Sequence, residues 1–259
     1  MVISIRITAL EGVPEIAPGQ ALDEVLAISL KQNGITLADN DAVVFCQKVV
    51  SKSENRYVEL ASVTPSQRAL DLAAICGKDA RLVELVLSQS TEVVRCIKDV
   101  LIVRHTLGFV VANAAIDQSN ISHNLAGGSE RALLLPVHPD RSAANIRAAI
   151  QQRLSVKVGV LISDSFGRPW RIGVSGVGIG CAGMSALIDE RGRTDRFGRE
   201  LQVTQIAVAD QLAAAAVTAM GEADEGRPIV VVSGLPVRYF ENDVPASALV
   251  RPIEQDLFK

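Results

Sequence analysis

Val156-Lys-Val-Gly-Val-Leu-Ile-Ser163 is the clearest buried strand in the chain, and Asp164 stands directly after it. An apolar run of this kind reads as a strand covered on both faces, so it needs helices above and below. Residues 142–154 have helical spacing just before it. An Ala-rich helix is predicted over 204–219, with Gly221 to end it. Further out, 43–45 and 229–232 read as short buried strands. Residues 2–10 alternate like a strand and run into a turn at Gly12-Val13-Pro14. Leu22, Val25, Leu26 and Leu30 share one face of a helix over 21–32 that Gly34 can close. A helix opens at Pro65-Ser66 and ends near Gly77. Asp79 caps another that runs through Leu87, and 92–97, 100–104 and 108–112 are strand candidates. The stretches 164–200 and 221–227 are rich in glycine and arginine and read as long loops of the kind that carry sites. Strands and helices intermingle without a regular βαβ repeat, and no internal repeat or low-complexity linker interrupts them. The expectation is a mixed α/β (α+β) fold forming one unit over 1–259, rather than a doubly wound sheet.

Composition narrows the class. Apolar residues make up 48% of the 259, enough for a sizeable core, while aromatics are only 3%. That core must be Val, Ile, Leu and Ala. The formal charge is −3 with no long run of one sign, so there is no basic stripe for nucleic acid. Cys46, Cys76, Cys96 and Cys181 form no CxxC pair and match no zinc spacing. They read as reduced core cysteines of a cytoplasmic protein. The first ten residues lack the basic start and long apolar run of a signal peptide, and no stretch is long and apolar enough to span a membrane.

Two aspartates, Asp117 and Asp164, each stand just past an apolar strand. Brought together they would repel unless a cation lay between them, and oxygen-only ligands suit Mg²⁺ or Mn²⁺. Ser165 could add a hydroxyl. Either aspartate alone serves equally well as a helix cap or turn residue. Arg168 and Arg171 sit beside Asp164 and suit an anionic substrate. Arg191, Arg193, Arg196 and Arg199, interspersed with Asp189 and Asp195, read rather as a solvated salt-bridged loop. Trp170 suits stacking on a planar substrate or packing in a core or interface. Lys48 and Lys52 follow a buried strand; on this segment alone they read as two exposed lysines, and Glu222 as a surface glutamate. Gly178-Ile-Gly-Cys-Ala-Gly183 fits GxGxxG and would suit a nicotinamide or flavin oxidoreductase. A poor strand precedes it, however, and a glycine-kinked strand at a close backbone approach is the better reading. No GxxxxGK[ST] loop, HExxH pattern or G-x-S-x-G elbow occurs, and His105, His123 and His138 form no metal-binding pattern.

Taken in order, Glu11-Gly-Val-Pro-Glu-Ile16, Asp41-Ala-Val-Val-Phe-Cys-Gln-Lys-Val-Val-Ser-Lys52, Ala112-Asn-Ala-Ala-Ile-Asp-Gln-Ser-Asn120, Ile162-Ser-Asp-Ser-Phe-Gly-Arg-Pro-Trp-Arg171 and Asp195-Arg-Phe-Gly-Arg-Glu-Leu201 resemble the coenzyme F420-0:L-glutamate ligase (F420 γ-glutamyl ligase) family over nearly the whole chain. The resemblance implies an unusual mixed-sheet fold and an intertwined homodimer. It implies a GTP-dependent enzyme that joins L-glutamate to F420-0 through an acyl phosphate and can add a second by a γ-linkage. Two divalent metals, Mg²⁺ or Mn²⁺, and a monovalent K⁺ would assist. Matched to the family's positions, Asp117, Asp164, Ser165 and Glu222 would hold metal. Val13, Pro14, Glu15, Ile16, Gln47, Lys52, Asn120, Met220, Gly221, Glu222, Ala223, Asp224, Glu225, Gly226 and Arg227 would contact GTP. Ser165 stands where the family commonly has threonine, Ala115 where it has glycine, and Gln211 where it has glutamate. The flavin-binding domain fused to some relatives is not expected. A catalytically silent deazaflavin-binding scaffold is the further alternative, and the retained carboxylate set argues against it.

Overall fold

The computed structural model describes residues 3–121 and 130–256; His123 and Val2, the first residue of the expected opening strand, lie outside them. In chain order the strands are β1 (Arg6–Ala9), β2 (Ala42–Cys46), β3 (Tyr57–Glu59), β4 (Ser90–Ile97), β5 (Val100–His105), β6 (Val110–Ala112), β7 (Arg131–Leu133), β8 (Gly159–Arg168), β9 (Arg171–Ala182), β10 (Leu187–Asp189), β11 (Gln205–Ala207) and β12 (Ile229–Ser233). The α-helices are α1 (Leu22–Gln32), α2 (Gln47–Ser53), α3 (Gln67–Cys76), α4 (Ala80–Ser88), α5 (Pro139–Leu154) and α6 (Val208–Met220).

β2 and β8 pair in parallel at the centre of a five-stranded sheet of order β1-β12-β2-β8-β9, whose other pairings are antiparallel. The fold is therefore mixed α/β, as the sequence leads one to expect. Alternate residues of each central strand feed opposite layers. Val43, Phe45, Val160, Ile162, Ile229 and Val231 pack with α1 and α5. Ala42, Val44, Leu161, Val230 and Val232 pack with α6. Burial on both faces is the reason these strands read as unbroken apolar runs. A separate three-stranded sheet, β4-β5-β6, is covered by α3 and α4 through Ala69, Cys76, Val83, Val86, Leu101 and Val103. Asp79 caps α4 as expected, accepting a hydrogen bond from Arg81 N at 2.8 Å. Gly77, at φ +68°, ends α3.

Several elements differ from expectation. α5 opens at Pro139 rather than at 142, because proline needs no partner for its nitrogen at the first helical position. The segment after β2, to which the sequence assigned no element, is the helix α2. The largest correction concerns 164–200. Its first part is no loop: β8 and β9 form a long hairpin that turns on Pro169 and Trp170. Glycine hid β9, because its place is taken by helix backbone. A Cβ on Gly176 would lie 2.5 Å from the carbonyl oxygen of Ala213 in α6, and one on Gly178 would lie 2.7 Å from Ala209 Cβ. The GxGxxG run thus lies within a strand that helices approach closely, not at a strand-to-helix turn as a dinucleotide fingerprint requires.

Candidate active site

The parallel pairing of β2 with β8 sets Cys46 opposite Ser163, so both strands deliver the residues that follow to the same sheet edge. From β2 the chain enters α2, which carries Gln47, Lys48, Ser51 and Lys52. β8 itself carries Asp164 and Ser165, just beyond the point where its pairing with β2 stops. A cleft of about 780 Å³ opens there, lined by residues 13–16, Cys46, Lys48, Lys52, Asp117, Asn120, Asp164, Ser165 and 220–227. Every residue matched to metal or nucleotide on resemblance lines this cleft except Gln47, which reaches it through Asp117.

Asp117 is fixed by a backbone bridge to Leu133, N to O at 3.0 Å and O to N at 2.8 Å. Its Oδ2 accepts hydrogen bonds from Gln47 Nε2 and from Lys48 Nζ, the latter at 2.7 Å. Ser51 Oγ donates to Gln47 Oε1 at 2.9 Å, which orients the amide toward the carboxylate. Asp164 Oδ1 accepts from the N–H of Ser165 at 2.8 Å. Burial, and next the charge of Asp117, push the Asp164 carboxyl up to about 7, against the opposing pull of the Ser165 N–H and Lys48. Burial pulls the Lys48 pKa down, but the charge and hydrogen bond of Asp117 outweigh it, so the ammonium is held charged. Cys46 is unreactive in this wall, because burial raises its thiol to about 11.

On the opposite rim, Ser165 Oγ donates to Glu222 Oε1 at 2.7 Å. Asn120 Nδ2 donates to the Ala223 carbonyl at 2.8 Å and so ties the Asp117 loop to the 221–227 loop. Glu225 folds back to accept from Ala223 N at 2.9 Å. It fills the space where a Cβ on Gly221 (φ +82°) would stand, 2.1 Å from its carboxyl carbon. Lys52, 5% exposed, places Nζ 2.6 Å from Glu15 Oε1 in the 13–16 loop.

The two lysines are therefore not a solvated pair, which corrects the reading of that segment. Lys52 is buried, Lys48 is half-buried, and they stand four apart on one face of α2. Lys48 escaped the candidate residues altogether. Its signal was helical spacing to Lys52, visible only once α2 is recognised. Arg168 and Arg171 lie at the exposed hairpin tip, outside the cleft lining. Arg191 and Arg193 pair with Asp189 and Glu190, as expected of a salt-bridged loop. A smaller cavity of about 340 Å³ lies beside Phe109 and Phe166. Its carboxylates Asp140 and Asp210 already bind backbone N–H groups, so the larger cleft is the candidate.

Among the described residues no three His, Cys, Asp or Glu side chains are gathered closely enough to hold a metal by themselves. The cleft instead offers dispersed carboxylate and hydroxyl oxygens plus two ammonium groups. That combination suits a phosphorylated ligand that brings oxygens of its own to a divalent cation.

Comparison with known proteins gives the family. A family model described as F420-0:Gamma-glutamyl ligase matches residues 12–234. The Coenzyme F420:L-glutamate ligase of Methanothermobacter thermautotrophicus is 39% identical over 257 residues, 99% of this chain and 100% of that protein. The protein of the same name from Methanocaldococcus jannaschii is 40% identical over 86% of each chain, and that from Archaeoglobus fulgidus is 41% identical over 90% of this chain and 89% of its own. These matches define the chain as a ligase of the carboxylate–amine class. The chain belongs to the F420-0:gamma-glutamyl ligase family.

Proposed function

We propose that the protein joins L-glutamate to F420-0 at the expense of GTP, and that the 780 Å³ cleft is where GTP reacts. The observation that carries this reading is the convergence of Asp117, Asp164, Lys48 and Lys52, from separate parts of the chain, on one cleft wall. A carboxylate and an amine do not condense in water unless the carboxylate is first activated. The terminal carboxylate oxygen of F420-0 attacks the γ-phosphorus, the β–γ P–O bond breaks, and GDP leaves. The glutamate amine then attacks the acyl carbon of the resulting acyl phosphate. The C–O bond breaks, phosphate departs, and the amine proton passes to solvent. A second cycle would add glutamate through a γ-linkage.

The residues present fit a divalent cation. Asp164 is half-buried and strongly desolvated beside another carboxylate, and the donor set is oxygen only. Asp117, Asp164, Ser165 and Glu222 would hold Mg²⁺ or Mn²⁺, two per site, and a K⁺ beside them is part of the same reading. A bound cation supplies charge neutralisation at the phosphates. Lys52, Asn120, Gln47 and residues 13–16 and 220–227 bind and orient the nucleotide, with Lys52 leaving Glu15 for phosphate oxygens. Arg168 and Arg171, on the projecting hairpin, would meet anionic substrate from a second copy in a homodimer. The whole reading places the enzyme in the cytoplasm, where GTP is held.

Incubation with F420-0, L-glutamate, GTP and Mn²⁺, followed by mass spectrometry, tests this. A gain of one or more glutamyl units with matching GDP is expected, and an unchanged precursor mass overturns the proposal. Asp164→Ala should lower turnover by about a hundredfold or more, as loss of a charge-stabilising group does.

A further inference from the structure

Lys48 belongs to the wall of the cleft but is given no metal or nucleotide to hold in the proposed chemistry, and its ammonium lies 2.7 Å from Asp117 Oδ2, in the wall that also holds Asp164. Gln47 Nε2 donates to the same oxygen. We propose that Lys48 is an internal counter-ion that holds Asp117 while no metal is bound, and that a divalent cation must displace it. The proposal rests on the reading of Asp117 and Asp164 as metal carboxylates.

Two carboxylates facing one cleft repel each other unless positive charge stands between them. In the structure that charge is Lys48, and it uses the oxygen a metal would need. A lysine suits exchange, because its ammonium is a point charge on a flexible stem with no fixed fork to break. At 23% side-chain exposure it can swing into the open cleft without crossing packed core. While the pair is closed Oδ2 is taken and the ammonium charge opposes a cation at Asp117, so apparent affinity is lowered toward the fraction of molecules in the open state. The sign of this effect separates it from a structural role. If Lys48 only positioned Asp117, removing it would weaken metal binding; if it competes, removing it tightens binding.

The test is Mn²⁺ binding to the nucleotide-free full-length protein, measured by electron paramagnetic resonance of free Mn²⁺ at fixed ionic strength. Lys48→Met should bind about tenfold more tightly than the unsubstituted protein, the order of one partly screened ion pair. Lys48→Arg, which keeps the charge, should stay close to the unsubstituted value. Equal or weaker binding by a folded Lys48→Met protein overturns the proposal. Should that variant lose its circular dichroism signature, Lys48→Gln carries the same comparison. Asp117→Asn separates the two claims: if it leaves Mn²⁺ affinity unchanged, the metal site itself fails, whatever Lys48 does.

Discussion

Three consecutive residues ahead of Asp117, Asn113, Ala114 and Ala115, have φ of 51°, 52° and 53°. Asparagine tolerates the left-handed region, but each alanine there is strained by roughly 1–2 kcal/mol. The strain holds the turn that aims Asp117 at the cleft, as strained backbone at functional sites commonly does. Ala115 stands where the resembling family has glycine, so Ala115→Gly should stabilise the protein by about 1 kcal/mol, less the entropy glycine loses on folding. Urea denaturation of both proteins measures it; a destabilised glycine variant would mean that the Cβ makes packing contacts outweighing the strain. At this scale the two aspartates could be picked out beside apolar runs, although the setting differs from the one expected: Asp164 lies within β8, and Asp117 follows the turn at 113–115 rather than a strand. Lys48 and Lys52 could not, because whether a lysine is solvated or buried in an ion pair depends on Asp117 and Glu15, far away in sequence.

Among the elements, the β8–β9 hairpin links the two sheets. Phe166, next to the site residue Ser165, packs against Phe109 at 5.0 Å between ring centroids, and Phe109 stacks on His105 at 5.2 Å. His105 Nδ1 accepts from Leu107 N at 2.9 Å, and its Nε2 is buried without a hydrogen-bond partner among the described residues. Burial, and next the charge of Arg56, lower its pKa to about 4. The unfolded chain takes up this proton near pH 6.5, well before the folded one. His105 therefore contributes stability that is whole above about pH 6.5 and is lost as pH falls toward 4, amounting to a few kcal/mol. Denaturant titrations at pH 7.5, 6 and 5 should show wild type losing more stability across this window than His105→Phe; parallel losses would remove His105 as the cause. α1, α3 and α4 read well from sequence, since apolar spacing and the caps at Asp79 and Gly77 are local; α2 does not, and the helix expected from 204 opens only at Val208, because 205–207 pairs as β11. The second half of β9 reads as a glycine-kinked strand at a close backbone approach, as it proves to be, but 171–177 is missed because Gly176 answers to α6 and not to any period within the strand.

At the scale of the whole molecule, β8 pairs with β2 only as far as Ser163, and the hairpin continues beyond that edge. Its tip presents Trp170, 95% exposed, with Ile172 and Val174. Apolar side chains gathered on a projecting ribbon mark a contact surface, which supports the proposed homodimer and, of the roles its sequence left open for Trp170, favours the interface. Trp170→Glu combined with Ile172→Glu should shift the protein to monomer in analytical ultracentrifugation; an unchanged dimer would place the interface elsewhere. The mixed sheet could be foreseen from its buried strands, whereas their order could not, because pairing across more than a hundred residues leaves no local trace. That pairing also governs when a nascent chain can acquire its chemistry. Lys48 leaves the ribosome long before Asp164, and Glu222 later still, so a nascent chain short of Glu222 lacks part of the proposed site. On that reading a half-made protein has no place to hold a nucleotide, and competence waits until the central strands have found each other.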